Sequence, residues 1–101
     1  MQKFVAVYDL PADSEQFERD YEETHLPLVA AVPGIQRTEV SRVTKVVRGE
    51  PGFSLMAEMY FPDAATLRTA LGSPEWAALG ENLVQIGGLE LATMFIADTT
   101  G

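Results

Sequence analysis

The segment from Phe53 to Phe61 constrains this chain more than any other. Phe53, Leu55, Ala57, Met59 and Phe61 fall on one face of an extended strand, and Ser54, Met56, Glu58 and Tyr60 fall on the other. The period is two, with no glycine or proline inside, so the segment reads as a strand. Its first face is wholly apolar and needs a layer packed on it. Its second face is mixed rather than polar, so it is not simply left to water. A fold that accommodates this strand must cover both faces of its sheet.

The remaining segments supply that cover in part. Lys3 to Tyr8 is a short apolar run with β-branched and aromatic residues, a strand buried on both faces. Asp13 with Gln16 three residues on has the form of a capping box, so a first helix starts near Ser14. It ends before Pro33-Gly34, a strong stop. Ile35 to Val47 carries Val40, Val43, Val46 and Val47 in imperfect alternation and reads as a long strand with room for a bulge. Arg48 to Gly52 is a turn or loop. Asp63 is the expected N-cap of a helix holding Leu67, Ala70 and Leu71, which Gly72 ends. Ser73-Pro74-Glu75 is a second start signal, and Trp76, Leu79 and Leu83 follow at helical spacing as a short extra helix. After Gly87-Gly88, Leu89 to Ala97 reads as a last strand with Leu89, Leu91, Thr93 and Phe95 on one face.

The order strand, helix, strand, strand, helix, strand is the ferredoxin-like βαββαβ arrangement, an α+β fold with one four-stranded antiparallel sheet. Residues 1–101 are expected to form a single domain. Two helices cover one face of such a sheet. Met56 and Tyr60, with Met94 and Ile96, are expected on the other, where a second copy's sheet would cover them. The expected assembly is therefore a homodimer, a dimeric α+β barrel.

Charge and composition exclude several function classes. Asp and Glu number 15 against 7 Lys and Arg, for a net charge of -8. Phosphate binding needs clustered basic residues, so no nucleic acid and no anionic membrane surface is expected as a partner. Cysteine is absent, which removes disulfides, thiolate zinc sites and a thiol nucleophile. With one histidine and no spaced ligand set, no metal is expected. No Gly-rich dinucleotide fingerprint occurs, so no nicotinamide or flavin cofactor is expected. The N-terminal residues have neither a signal-peptide pattern nor a membrane span, and the expected location is the cytoplasm.

The chemistry converges on His25, the only histidine. On a regular helical wheel Tyr21, Thr24, Leu28 and Val32 lie within roughly 60° of Phe17, and His25 lies at roughly 80°, the edge of the buried stripe. Pro27 brings no N–H to the carbonyl of Glu23, so the helix should bend or restart there. A freed carbonyl could then fix the imidazole tautomer. The plainer role for His25 is that of a satisfied histidine at a kink. Glu58, a carboxylate in an apolar strand, could orient the imidazole or act as a second acid or base; its plainer role is an ion pair with Arg37 or Arg42. Tyr8, Tyr21 and Tyr60 could bind a polar substrate through their hydroxyls, although tyrosines of small cores mostly pack. Trp76 reads as helix packing before it reads as a ligand platform.

Phe17 and Tyr21, then His25-Leu26-Pro27-Leu28 and Pro33-Gly34, make the sequence resemble the EthD family of small dimeric α+β-barrel proteins. Ala57-Glu58-Met59-Tyr60-Phe61 with Asp63, and Leu71-Gly72-Ser73-Pro74-Glu75-Trp76, extend the resemblance over nearly the whole chain. The resemblance implies a pocket histidine on the first helix, matched by His25, and carries over no other catalytic residue; Tyr21, Leu28, Glu58 and Tyr60 are the substrate-binding candidates among the residues themselves. Similar proteins include a methylmuconolactone isomerase and fungal polyketide dehydratases. The isomerase-type cysteine is missing here. The expected function is a cofactor-free lyase or isomerase on a small aromatic or polyketide-like molecule, with His25 as general acid or base. The alternatives are a non-catalytic small-molecule-binding or accessory dimer of a degradation pathway, and a cofactor-independent monooxygenase.

Overall fold

Three side chains begin the helices by the same device. Asp13 Oδ1 accepts the Gln16 N–H at 3.1 Å, Asp63 Oδ1 accepts that of Thr66 at 2.7 Å, and Ser73 Oγ accepts that of Trp76 at 3.2 Å. Each bond satisfies a donor that the first turn leaves open. The capping box at Asp13 is one-sided, because the Gln16 side chain donates to Asp20 at 2.9 Å instead.

The computed structural model describes residues 1–50 and 52–100. Its elements are β1 (Gln2–Asp9), α1 (Ser14–Asp20), a π-helical turn (Tyr21–His25), α2 (Leu26–Ala30), β2 (Arg37–Arg42), β3 (Phe53–Phe61), α3 (Ala64–Leu71), α4 (Pro74–Gln85), a 3₁₀ turn (Leu89–Leu91) and β4 (Ala92–Asp98). The strands form one antiparallel sheet in the order β2-β3-β1-β4. This is the expected ferredoxin-like α+β arrangement. The α-helical pattern resumes at Leu26, with Pro27 in its first turn where its missing N–H is tolerated, and Gly34, at φ 84, turns the chain toward β2 against the Thr66 side chain.

Register fixes the two faces. Ala57, Ala6 and Met94 lie in one row across the sheet, as do Met59, Phe4 and Ile96; both rows face the helices. Two clusters fill this side. One gathers Tyr8, Phe17, Tyr21, Leu55 and Leu83, the other Val29, Met59, Phe61, Leu67 and Leu79. The opposite face carries Val5, Val7, Met56, Glu58 and Tyr60, continued by Thr93 and Phe95 of β4 and Arg37 and Glu39 of β2.

Three expectations are corrected. The second strand spans only Arg37–Arg42 rather than Ile35 to Val47, and all six of its residues are exposed. Val43 adds one bond to the Ser54 carbonyl at 2.9 Å, after which the chain leaves the sheet. The last strand starts at Ala92, because Leu89–Leu91 close a 3₁₀ turn. Met94 and Ile96 therefore point to the helix side, and Phe95 and Thr93 take the open face. The extra helix α4 is the longer of the two after β3, with 12 residues against 8 in α3.

Candidate functional site

Two helices from distant parts of the chain place the site. The turn at Tyr21–His25 closes through a bond from the Leu26 N–H to the Tyr21 carbonyl, five residues apart. It turns His25 inward, and the side chain is 3% exposed, not at a solvent edge. Across from it, α4 buries Leu79, Asn82 and Leu83. The leucines enter the two core clusters, and Asn82 between them meets the imidazole. His25 Nδ1 lies 3.0 Å from Asn82 Oδ1. The partner is thus a side-chain amide, where a freed backbone carbonyl was expected.

A chain of hydrogen bonds assigns the tautomer. The Thr24 hydroxyl donates to the Asp20 carbonyl at 2.7 Å. Its oxygen is then an acceptor for Asn82 Nδ2, at 3.1 Å. That turns Asn82 Oδ1 to His25, so Nδ1 carries the proton and donates. Nε2 is left with its lone pair and has no hydrogen-bond partner among the described residues. It is also not among the sealed polar atoms that lack a partner. Burial lowers the His25 pKa below its ordinary value, and the bond to Asn82 opposes this only in part. The imidazole is accordingly neutral near pH 7, with Nε2 as a base.

His25 borders a cavity of ≈ 130 Å³ at the gap between the two core clusters. Phe4 and Tyr8 of β1, Trp76 and Leu83 of α4, and Met94 of β4 form much of its wall. Trp76 meets Phe4 edge-on at 4.8 Å, so it packs on the sheet and lines the cavity at once. Tyr21 lies beside the imidazole, with ring centroids 4.8 Å apart. Its hydroxyl is buried and makes no well-formed hydrogen bond, and burial, with the Tyr8 hydroxyl beside it, holds its pKa far above the ordinary range. A groove of ≈ 280 Å³ between α1 and β2 is larger, but the Arg42–Glu18 ion pair at 2.7 Å borders it and it holds no imidazole.

The other candidates lie elsewhere. Leu28 is half-buried against the cluster around Val29. Glu58 and Tyr60 occupy the open face of the sheet, so the protomer does not bring either to His25. Glu58 pairs with Lys3 at 2.7 Å, not with Arg37 or Arg42. The Tyr60 hydroxyl donates to Glu39 at 3.0 Å, and Arg37 sits over its ring at 4.2 Å. Sequence reasoning did not single out Asn82; a polar residue three after Leu79, on the buried stripe, was its only signal. Among the described residues no three His, Cys, Asp or Glu side chains cluster to hold a metal ion.

The model of the EthD domain matches residues 10–83. The chain belongs to the EthD family. An EthD family protein from Bacillus halodurans C-125 is 33% identical, over 99% of each chain, with a TM-score of 0.91. At lower identity the likeness shows the fold alone. A dimeric ferredoxin-like protein of unknown function from Jannaschia sp. CCS1 is 14% identical over 98% of this EthD chain and all of its own, with a TM-score of 0.71. SnoaB of Streptomyces nogalater, described as a cofactor-independent oxygenase, is 20% identical over 99% of this chain and 91% of its own, with a TM-score of 0.63. Among curated proteins no match to the sequence is found.

Proposed function

We propose that this EthD protein binds a small, largely apolar molecule in the cavity beside His25 and moves a proton on it through Nε2, without a cofactor. The observation that carries this reading is the placement of the imidazole, paired with Asn82 and bordering the cavity. Its Nδ1 is held by Asn82, its Nε2 has no hydrogen-bond partner among the described residues, and the residue borders a largely apolar cavity. An imidazole poised below its ordinary pKa is in base form at neutral pH, which suits abstraction of a proton next to a carbonyl or from an enol. That chemistry is a lyase or isomerase step.

The functional unit in this reading is a homodimer joined through the open sheet face. Val5, Val7 and Tyr60 are already largely shielded there, Met56 is half-buried, and Phe95 stays 47% exposed. The Jannaschia protein and a Bacteroides fragilis protein of the same fold are described as dimeric.

Deuterium exchange at the α-carbon of small cyclic ketones in D₂O tests the proton transfer. The protein should accelerate it, and His25→Gln should reduce the acceleration by about 10²–10⁴-fold. The rate should rise with pH and level off below pH 7, since the base form is complete above the lowered pKa. A bound ketone with no accelerated exchange would favour the binding or accessory role instead.

A further inference from the structure

Apart from the imidazole, the cavity wall carries two hydrogen-bonding side chains, the Trp76 indole, which can only donate, and Tyr8, which is 1% exposed and whose hydroxyl can both donate and accept. Behind it sits Tyr21, with ring centroids 5.4 Å from those of Tyr8. Of the two hydroxyls only that of Tyr21 is sealed without a well-formed hydrogen bond. The same cavity is thus bordered by both His25 and Tyr8, together with Phe4, Trp76, Leu83 and Met94.

Size narrows the ligand further. An apolar cavity of about 150 Å³ takes a single benzene. The ≈ 130 Å³ here is of that order, which matches one ring. A ring oxygen in such a site must exchange its water partners for protein ones, or the desolvation works against binding. A phenol or enol can give its proton toward Nε2 and accept one from Tyr8 through the same oxygen.

We propose that the Tyr8 hydroxyl is the group that receives the ligand's oxygen, and that the cavity takes a single-ring phenol or enolisable cyclic ketone. Burial raises the pKa of both Tyr8 and Tyr21, so both hydroxyls stay protonated at neutral pH and Tyr8 acts as a donor. The assignment rests on the small-molecule reading above and adds to it the chemical class and the residue that selects it.

Phenol, toluene and 1-naphthol are suitable probes, titrated against the protein and against Tyr8→Phe. Binding is followed by NMR at the single histidine, which borders the cavity. Phenol should bind the parent protein, and Tyr8→Phe should weaken it about two- to tenfold, the worth of one neutral hydrogen bond. Toluene affinity should be unchanged or higher in the variant, which also certifies that the cavity is intact. 1-Naphthol should bind at least tenfold more weakly than phenol. Equal effects of Tyr8→Phe on phenol and toluene would overturn the Tyr8 assignment and leave the proton-transfer reading standing. 1-Naphthol binding as well as phenol would overturn the single-ring class. If none of the probes disturbs the histidine at millimolar concentration, the cavity is not a small-molecule site and both readings fall together.

Discussion

Replacing Asn82 by aspartate should reverse the way pH acts on this protein. In the parent, burial dominates the imidazole and lowers its pKa, with the Asn82 bond as a weaker opposing effect. The unfolded chain therefore binds a proton at a higher pH than the folded one. Stability from this group is fully present above the unfolded value of about 6.5, and it is lost as pH falls toward the folded pKa. Asn82→Asp puts a carboxylate where Oδ1 stands, 3.0 Å from Nδ1. An opposite charge that close favours imidazolium by about 1.4–4 kcal/mol, enough to offset desolvation of a partly compensated ring. With the folded pKa raised above 6.5, stability is present at low pH and lost as pH rises through the new value. Thermal melts between pH 5 and 7.5 should thus slope upward with pH in the parent and downward in the variant. Titration by NMR is unambiguous, because His25 is the only histidine. A parent imidazole that titrates at 6.5 or above would refute the reasoning at its first step. Parallel slopes in the two proteins would refute it at the second.

Two other changes probe other parts of the same structure. Tyr21→Phe removes a buried hydroxyl that makes no well-formed hydrogen bond, so it should raise stability by about 1 kcal/mol and the melting temperature by about 4–8 °C, where most core substitutions lower both; a lower melting temperature would mean that the hydroxyl is satisfied. Phe95→Asp places a charge on the open sheet face, opposite Val5, and should turn a dimer into a monomer by light scattering at micromolar concentration; an unchanged mass would move the interface elsewhere.

The parts that were legible in the sequence are those with local causes. The caps at Asp13, Asp63 and Ser73, the helical restart around Pro27 and the period-two strand β3 each follow from neighbouring residues alone. Strand parity also separated Glu58 from the helix side, since it placed Glu58 with Met56 and Tyr60, away from Leu55 and Met59. The proposed pairing of Glu58 with His25 ran against that parity, and Lys3 on the adjacent strand takes the carboxylate instead. Edge strands were the least legible. Both β2 and β4 have a neighbour on one side only, so their ends depend on where the partner strand stops, which no local pattern records. Asn82 was hidden for a related reason: its partners Thr24 and His25 lie far back in the chain.

The exposure of His25 was misjudged because a wheel of 3.6 residues per turn does not describe this helix. Phe17, Tyr21, His25 and Val29 are four apart and all are buried. At 100° per residue each step of four overshoots by about 40°, so Val29 would stand about 120° from Phe17. The π turn absorbs the excess, because a five-residue closure spends one more residue per turn and rotates less at each. Such an insertion should be reversible. Deleting Glu23, which is exposed, would let Leu26 close on Tyr21 as an ordinary four-residue turn. The flanking anchors Phe17, Tyr21, Val29 and Val32 keep their places, so the protein should fold and melt within several degrees of the parent. Thr24 and His25 lie inside the altered turn, and relative to Tyr21 the imidazole moves from the fourth position to the third. It should lose Asn82, turn toward solvent and titrate nearer the ordinary histidine value. Proton transfer and phenol binding should fall with it. A deletion variant that folds and keeps the parent's histidine titration would show that the π turn is not what presents the imidazole to the cavity.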